Sequence, residues 1–227
     1  MNYLIVVAHP DDEVLGAGGT MYTKTAKGDR VDVCILSGGV AVRHLRPQDG
    51  ELTADIESST ALLGVGNVVK GDFPNIQLNN VPHLKLVQFV EKAIVDFQPD
   101  VVITHHPCDT NNDHLHTSLA CQAAIRLFQR RPEVKPVKEL WFMEVPSATE
   151  WSVNQSMLPF TPNTFVEIGE VGVEKKIQAL AQYRDVMRPY PHPRSPEPLR
   201  GLAAYRGSQA GLCYAEAFQC VLRREEV

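Results

Sequence analysis

The chain has 227 residues, 44% of them hydrophobic, and a formal net charge of −5. A chain of this size and composition buries a sizeable core and is not disordered. Its mild acidity, with no long basic run, argues against a nucleic-acid surface or a polybasic membrane contact.

Leu4 to Ala8 is a continuous apolar strand of the kind buried on both faces. It runs into His9-Pro10-Asp11-Asp12-Glu13, where the proline blocks continuation of the strand. Gly16 to Lys27 reads as a helix closed by Gly28. Val31 to Leu36 is a second apolar strand, ending in Ser37-Gly38-Gly39, and is followed by a helix over Leu52 to Leu63 and a brief strand at Asn67 to Val69. His83 to Phe97 has the clearest helical period, with Leu86, Phe89, Val90, Ala93, Ile94 and Phe97 on one stripe. Pro99 stops that helix, Val101 to Ile103 is the next buried strand, and a further helix is predicted from Leu115 to about Gln129.

Beyond residue 130 the alternation weakens. Leu140 to Val145 and Thr164 to Ile168 read as strands, and Glu174 to Tyr183 as a helix. Four prolines between Pro189 and Pro196 force a stiff, irregular segment. The strand–helix alternation predicts an α/β fold: a Rossmann-like, mostly parallel sheet with helices on both faces. Ligands of such sheets sit beyond the carboxyl ends of strands near a topological switch point. Two polar clusters, after Ala8 and after Thr104, fall at such positions.

The first cluster sets an imidazole and carboxylates just past a buried strand, which is costly unless a divalent cation compensates the charge. A helix cap by Asp12 or Glu13 is the plainer reading of the same stretch. The second cluster, Thr104 to His116, holds four of the eight histidines. A catalytic zinc takes three protein ligands and keeps one open position. His9 and Asp12 supply two, and His114 is the choice for the third, because it falls where a loop gives way to a helix. Asp113 either caps that helix or orients an imidazole. His105 and His106 are ambiguous, one facing the cleft and the other the structure, and His116 reads as packing.

The stretch Ala8-His9-Pro10-Asp11-Asp12-Glu13, followed by Gly18-Gly19-Thr20 and by Asp109…Asp113-His114, resembles the LmbE-like (PIG-L) zinc-dependent N-deacetylases. The resemblance extends over the whole chain, 1–227, as a single domain, and includes Tyr214-Ala215-Glu216-Ala217-Phe218, similar to the family's closing segment. It implies the LmbE-like deacetylase fold and removal of an N-acetyl group from an N-acetylglucosamine-type amino sugar or its conjugate. It also implies zinc (Zn2+) as cofactor, held by His9, Asp12 and His114, with Asp11 as general base. Iron or cobalt also suits a His/Asp site.

Amide hydrolysis needs an activated water, a stabilised oxyanion and a proton for the departing amine. Asp11, beside the ligand Asp12, can take the proton from water and return it to the nitrogen; a second metal ligand or a cap is its plainer role. Some family members carry a histidine three positions before the ligand histidine. Here Asn111 stands there, a substrate-binding candidate that donates a hydrogen bond but brings neither charge nor a net proton. The resemblance implies a substrate-contacting arginine in the loop after the second strand, Arg43 with Arg46 as rival, suited to sugar hydroxyls, carboxylates or phosphates. His192, in the proline-braced segment, is a second catalytic candidate that can stabilise the oxyanion or protonate the amine. Glu13 is left with capping or a contact behind the ligands.

The expected partner is a small-molecule N-acetylated sugar, with no nucleic acid and no membrane span, and a homo-oligomer is open to so compact a domain. The five cysteines (Cys34, Cys108, Cys121, Cys213 and Cys220) are odd in number and form no CxxC. With no signal peptide expected, they suit a reducing, cytoplasmic compartment. Two other readings stand beside it: a nucleotide-binding module, and a metal-binding or assembly protein on the same sheet without hydrolase activity. Gly16-Ala17-Gly18-Gly19 supports the nucleotide reading poorly, because it departs from G-x-G-x-x-G and follows acidic residues that repel a pyrophosphate. An intact Asp11 counts against the other, since a structural site needs no spare carboxylate.

Overall fold

The structure is a computed structural model that describes residues 1–38, 49–153 and 158–225. Among these residues the strands are β1 (Asn2–Val7), β2 (Arg30–Ile35), β3 (Val68–Lys70), β4 (Val101–His105), β5 (Glu139–Met143), β6 (Thr164–Glu167) and β7 (Ala215–Arg223). The helices are α1 (Asp12–Ala26), α2 (Asp49–Leu62), α3 (His83–Phe97), α4 (Asn112–Ala124), α5 (Gly169–Leu180) and α6 (Pro196–Ala210). The strands form one sheet in the order β3-β2-β1-β4-β5-β7-β6. Strands β1 to β5 pair in parallel, and β7 runs antiparallel to both β5 and β6. This is the mostly parallel α/β sheet expected.

Alternation along β1 explains why that strand is apolar throughout. Tyr3, Ile5 and Val7 enter one core with Val14, Leu15 and Met21 of α1 and Ala179 and Leu180 of α5. Leu4, Val6 and Ala8 enter the opposite core with Leu86, Val90 and Ile94 of α3 and Ala120 and Cys121 of α4. Successive side chains point to opposite faces, so a strand covered on both sides has no polar register to spare. The chain steps outward from β1 through β2 to β3, then returns to β4 on the other side of β1. That places the switch point between the carboxyl ends of β1 and β4, where both polar clusters begin.

Helix α1 starts at Asp12, four residues before the expected start at Gly16. Its glycines do not nucleate it; they let neighbours approach. A Cβ on Gly16 would lie 2.3 Å from Met143 Sδ, and one on Gly19 would lie 2.6 Å from Ile168 Cδ1. Glu216 of β7 uses the same thin surface, accepting the N–H groups of Gly19 (3.0 Å) and Thr20 (2.7 Å) and a bond from Lys176 Nζ of α5 (2.6 Å). Gly28, with φ +86, closes the helix as expected.

Strand β1 ends at Val7, because the Ala8 N–H donates to His105 Nε2 (2.9 Å) instead of continuing the ladder. Helix α4 begins at Asn112, earlier than the expected Leu115, and its tail loosens into a 3₁₀ turn at Leu127–Gln129. Helix α5 runs five residues earlier than expected, from Gly169. Helix α6 was not anticipated. It starts at Pro196, where a proline is tolerated in the first turn, and its interior glycine at 207 presses on the Leu212 carbonyl, 2.6 Å from where a Cβ would stand.

Candidate metal centre and active site

The loop from Ala8 to Asp12 and the start of α4 bring His9, Asp12 and His114 together. One ligand atom of each lies within 4.8 Å of the others, and all three residues are buried. Asp12 Oδ2 lies 3.2 Å from His9 Nδ1 and 3.2 Å from His114 Nε2. The outer nitrogen of each imidazole meets a carboxylate of its own: His9 Nε2 lies 3.0 Å from Asp113 Oδ2, and His114 Nδ1 3.0 Å from Asp109 Oδ2. The His114–Asp109 approach is an ion-pair distance without full hydrogen-bond geometry, since both His114 nitrogens lack a well-aligned partner. A carboxylate behind each ring favours the tautomer whose inward nitrogen carries a lone pair.

The rear carboxylates are themselves held. Asp113 accepts the N–H groups of Ile76 (2.7 Å) and Leu78 (3.0 Å), so it orients His9 and does not cap its own helix. Asp109 accepts Asn111 N–H (2.9 Å) and the Thr149 hydroxyl (2.8 Å). Asn111 is the N-cap of α4, its Oδ1 accepting Asp113 N–H (3.0 Å), so the carbonyl end of this substrate-binding candidate serves the helix.

Charge in the site follows from burial and neighbours. Burial alone would lower the pKa of His114, but Asp12 and Asp109 outweigh it and lift the value to about 10. Burial opposes ionisation of Asp12 as well, and the adjacent His114 and His9 nonetheless hold it well below the ordinary carboxylate range. For His9 burial again lowers the pKa, and Asp113 and Asp12 raise it on balance. His105, stacked on His114 at 3.8 Å between centroids, is pushed down to about 3 by burial and by His114. His106 instead faces structure, its Nδ1 accepting Cys108 N–H and its ring edge-on to Phe142 and Phe160. Two imidazoles and a carboxylate on one point is the donor chemistry of a divalent transition metal, and these residues fit one.

Asp11 is the N-cap of α1, with φ 99 and ψ −28 and no side-chain cap bond. Its carbonyl accepts Val14 N–H (3.1 Å) and Leu15 N–H (2.9 Å), its N–H donates to Glu13 Oε2 (3.1 Å), and its buried carboxylate receives Arg194 Nη1 at 3.2 Å. Arg194 Nε also donates to Ser147 Oγ (2.8 Å). Glu13 is wholly buried and bonded to the Tyr183 hydroxyl; burial, assisted by Asp11 and Asp12 and opposed by the Tyr183 bond, raises its pKa to about 8.

From the proline-braced segment it is Arg194 that reaches Asp11. His192 accepts Arg194 N–H on Nδ1 (3.1 Å), and its pKa is lowered by burial and by the cations Arg194 and Arg188. Arg43 and its rival Arg46 lie outside the described residues. Sequence reading assigned no role to Arg194, Asp109, Thr149 or Tyr183. Only Asp109 carried a visible signal, as an acidic residue five positions before a candidate ligand histidine.

Residues 4–125 match the PIG-L family, described as GlcNAc-PI de-N-acetylase. The chain belongs to that family. It is 28% identical over 151 residues to a 1D-myo-inositol 2-acetamido-2-deoxy-alpha-D-glucopyranoside deacetylase of Mycolicibacterium gilvum, covering 54% of this chain and 53% of the relative. The match thus spans about half the length of that curated relative. Among solved structures, N,N'-diacetylchitobiose deacetylase from Pyrococcus horikoshii superposes with a TM-score of 0.78 at 21% identity, over 97% of this chain and 84% of that one. The 4-carboxy-2-hydroxymuconate hydratase GalB from Pseudomonas putida superposes with a TM-score of 0.75 at 23% identity, over 100% and 98%. These two share the fold, and one fold hosts more than one reaction. No helix among the described residues is long and apolar enough to cross a membrane.

Proposed function

We propose that the chain is a metal-dependent N-deacetylase acting on an N-acetylglucosamine-type sugar or its conjugate. One observation carries this reading: His9 Nδ1, Asp12 and His114 Nε2 converge on a single point, and beside them stands a second buried carboxylate, Asp11, that the convergence does not use. A purely structural metal site has no need of that carboxylate. Family membership and the deacetylases among its relatives supply the substrate class.

His9, Asp12 and His114 would hold the metal, with zinc the first choice. Bound there, it supplies a Lewis acid that polarises the acetamide carbonyl and acidifies the attacking water. Asp11 takes the proton of that water and passes it to the departing amine. Arg194, with Nη1 3.2 Å from the Asp11 carboxylate, helps to hold that carboxylate in place. His192 and Asn111 are candidates to steady the oxyanion or the sugar, and Arg43 remains the candidate substrate-contacting arginine. The five cysteines are all free thiols, which suits a reducing cytoplasmic setting.

The test is amine release from a panel of N-acetylglucosamine derivatives, with metal content measured on protein purified without chelator. About one metal per chain and amine release with at least one derivative are expected. Asp11→Ala should keep the metal and lose about 10²-fold or more in kcat, whereas His114→Ala should lose both. Stoichiometric metal without amine release from any derivative would favour a metal-binding module, or another water-adding reaction on this fold.

A further inference from the structure

We propose that Glu13 is the positioning residue for the Asp11 carboxylate: it locks the Asp11 backbone in its left-handed conformation, and Tyr183 locks Glu13. The inference rests on the reading of Asp11 as base, and names what aims it.

An aspartate at an N-cap ordinarily turns its carboxylate onto the N–H groups of the first helical turn. Asp11 makes no such bond. Its φ of 99 is a conformation that a residue with a Cβ adopts at a cost on the order of 1–3 kcal/mol, so something must hold it there. In the usual capping box, the third helical residue reaches back to the N-cap N–H while the N-cap side chain bonds forward. Here Glu13, the second helical residue, makes the backward half at 3.1 Å, and the forward half is missing. The consequence is chemical. With the N–H pinned by Glu13 and the carbonyl by Val14 and Leu15, the Asp11 carboxylate is kept off the helix and meets Arg194 instead.

Glu13 is in turn fixed from the far side. Its other oxygen bonds the Tyr183 hydroxyl, just past α5, and both residues are buried. A buried carboxyl is an expensive device for a task as modest as capping. Among the described residues its carboxylate bonds the Asp11 amide and the Tyr183 hydroxyl, so its effect falls on the aim of the base. Released from Glu13, Asp11 would relax to ordinary N-cap geometry and turn its carboxylate onto the helix.

The experiment compares Glu13→Ala, Glu13→Gln and Tyr183→Phe with the wild-type holoenzyme, by steady-state kinetics, metal content and hydrogen exchange of the Asp11 amide. Glu13→Ala should keep its metal and its KM and lose about 30- to 100-fold in kcat, the cost of a misplacement near 1 Å. Its Asp11 amide should exchange at least about tenfold faster, having lost its acceptor. Glu13→Gln keeps an oxygen for that amide and an NH2 for the tyrosine oxygen, and should recover most of kcat and of the protection. Tyr183→Phe should fall between the two, and decides the matter if Glu13→Ala does not fold. Wild-type kcat in Glu13→Ala or Tyr183→Phe, lost kcat with Asp11 protection unchanged, or Glu13→Gln as impaired as Glu13→Ala would each overturn the proposal. A wild-type protein that releases no amine would instead sink the deacetylase reading. The exchange comparison needs no turnover and would still decide whether Glu13 holds Asp11.

Discussion

Asp11 and Asp12 are adjacent, chemically identical and both buried, yet their surroundings divide them. Asp12 lies between two imidazoles, and Asp11 faces a guanidinium and has its backbone gripped by Glu13. That division was partly legible in the sequence, because His9, Asp12 and His114 have ligand chemistry and sit at strand ends. Of the partners that enforce it, Asp109 was visible as an acidic residue near the ligand histidine, whereas Arg194 and Tyr183 were not legible. They act through distances that close only when the chain has folded, across 183 residues in the case of Arg194. Asp109 also gives a test at this scale. Asp109→Asn preserves shape but removes the charge behind His114 Nδ1, and should weaken metal affinity by about 10- to 100-fold. A competition titration against a chelating dye measures it; unchanged affinity would show that Asp109 does not tune His114.

At the scale of elements, the sequence was most informative where periodicity is strong and least where packing decides. The α3 boundaries agree with the predicted helix because Leu86, Val90 and Ile94 mark its buried stripe. Helix α6 escaped because small residues, two of them glycine, line it in place of an apolar stripe, and its last turn packs on the backbone of Leu212 and Cys213 that follow it. The start of α1 was misplaced for a related reason: its glycines look like a turn but are contact points. Gly19→Ala would drive a Cβ into Ile168 and should destabilise the fold by about 1–3 kcal/mol. Gly28→Ala meets no neighbour within 4 Å and should cost about 1 kcal/mol through its left-handed backbone alone. Urea midpoints of the two variants check this, and an unchanged midpoint for Gly19→Ala would refute the packing account.

Across the whole molecule, the candidate site gathers at the carboxyl ends of the central strands and a stabilising buckle sits at the opposite end. There Asp100 accepts Asn2 N–H (2.9 Å) and pairs with Lys135 (2.7 Å) and Lys138 (3.5 Å), joining the starts of β1, β4 and β5. Burial would raise the Asp100 pKa, but Lys135 and the Asn2 amide lower it on balance. A carboxylate depressed in the folded state stabilises fully above its ordinary value, near 3.9, and loses that contribution as pH falls through the lower folded value. Asp100→Asn should therefore be less stable than wild type at neutral pH, with the gap closing below about pH 4. Denaturation at several pH values checks this; a gap that widened in acid would show the sign to be wrong.

The bond between Glu216 and the Gly19 amide closes a loop of 197 residues. Helix α1, with Asp11 and Asp12 at its head, comes before the strand that braces it in chain order. Until β7 docks, the Gly19 and Thr20 amides lack the Glu216 carboxylate that accepts them. Contacts of such long sequence range form slowly. A chain cut back before residue 215 would hold every proposed ligand and still lack the carboxylate that braces α1 from behind.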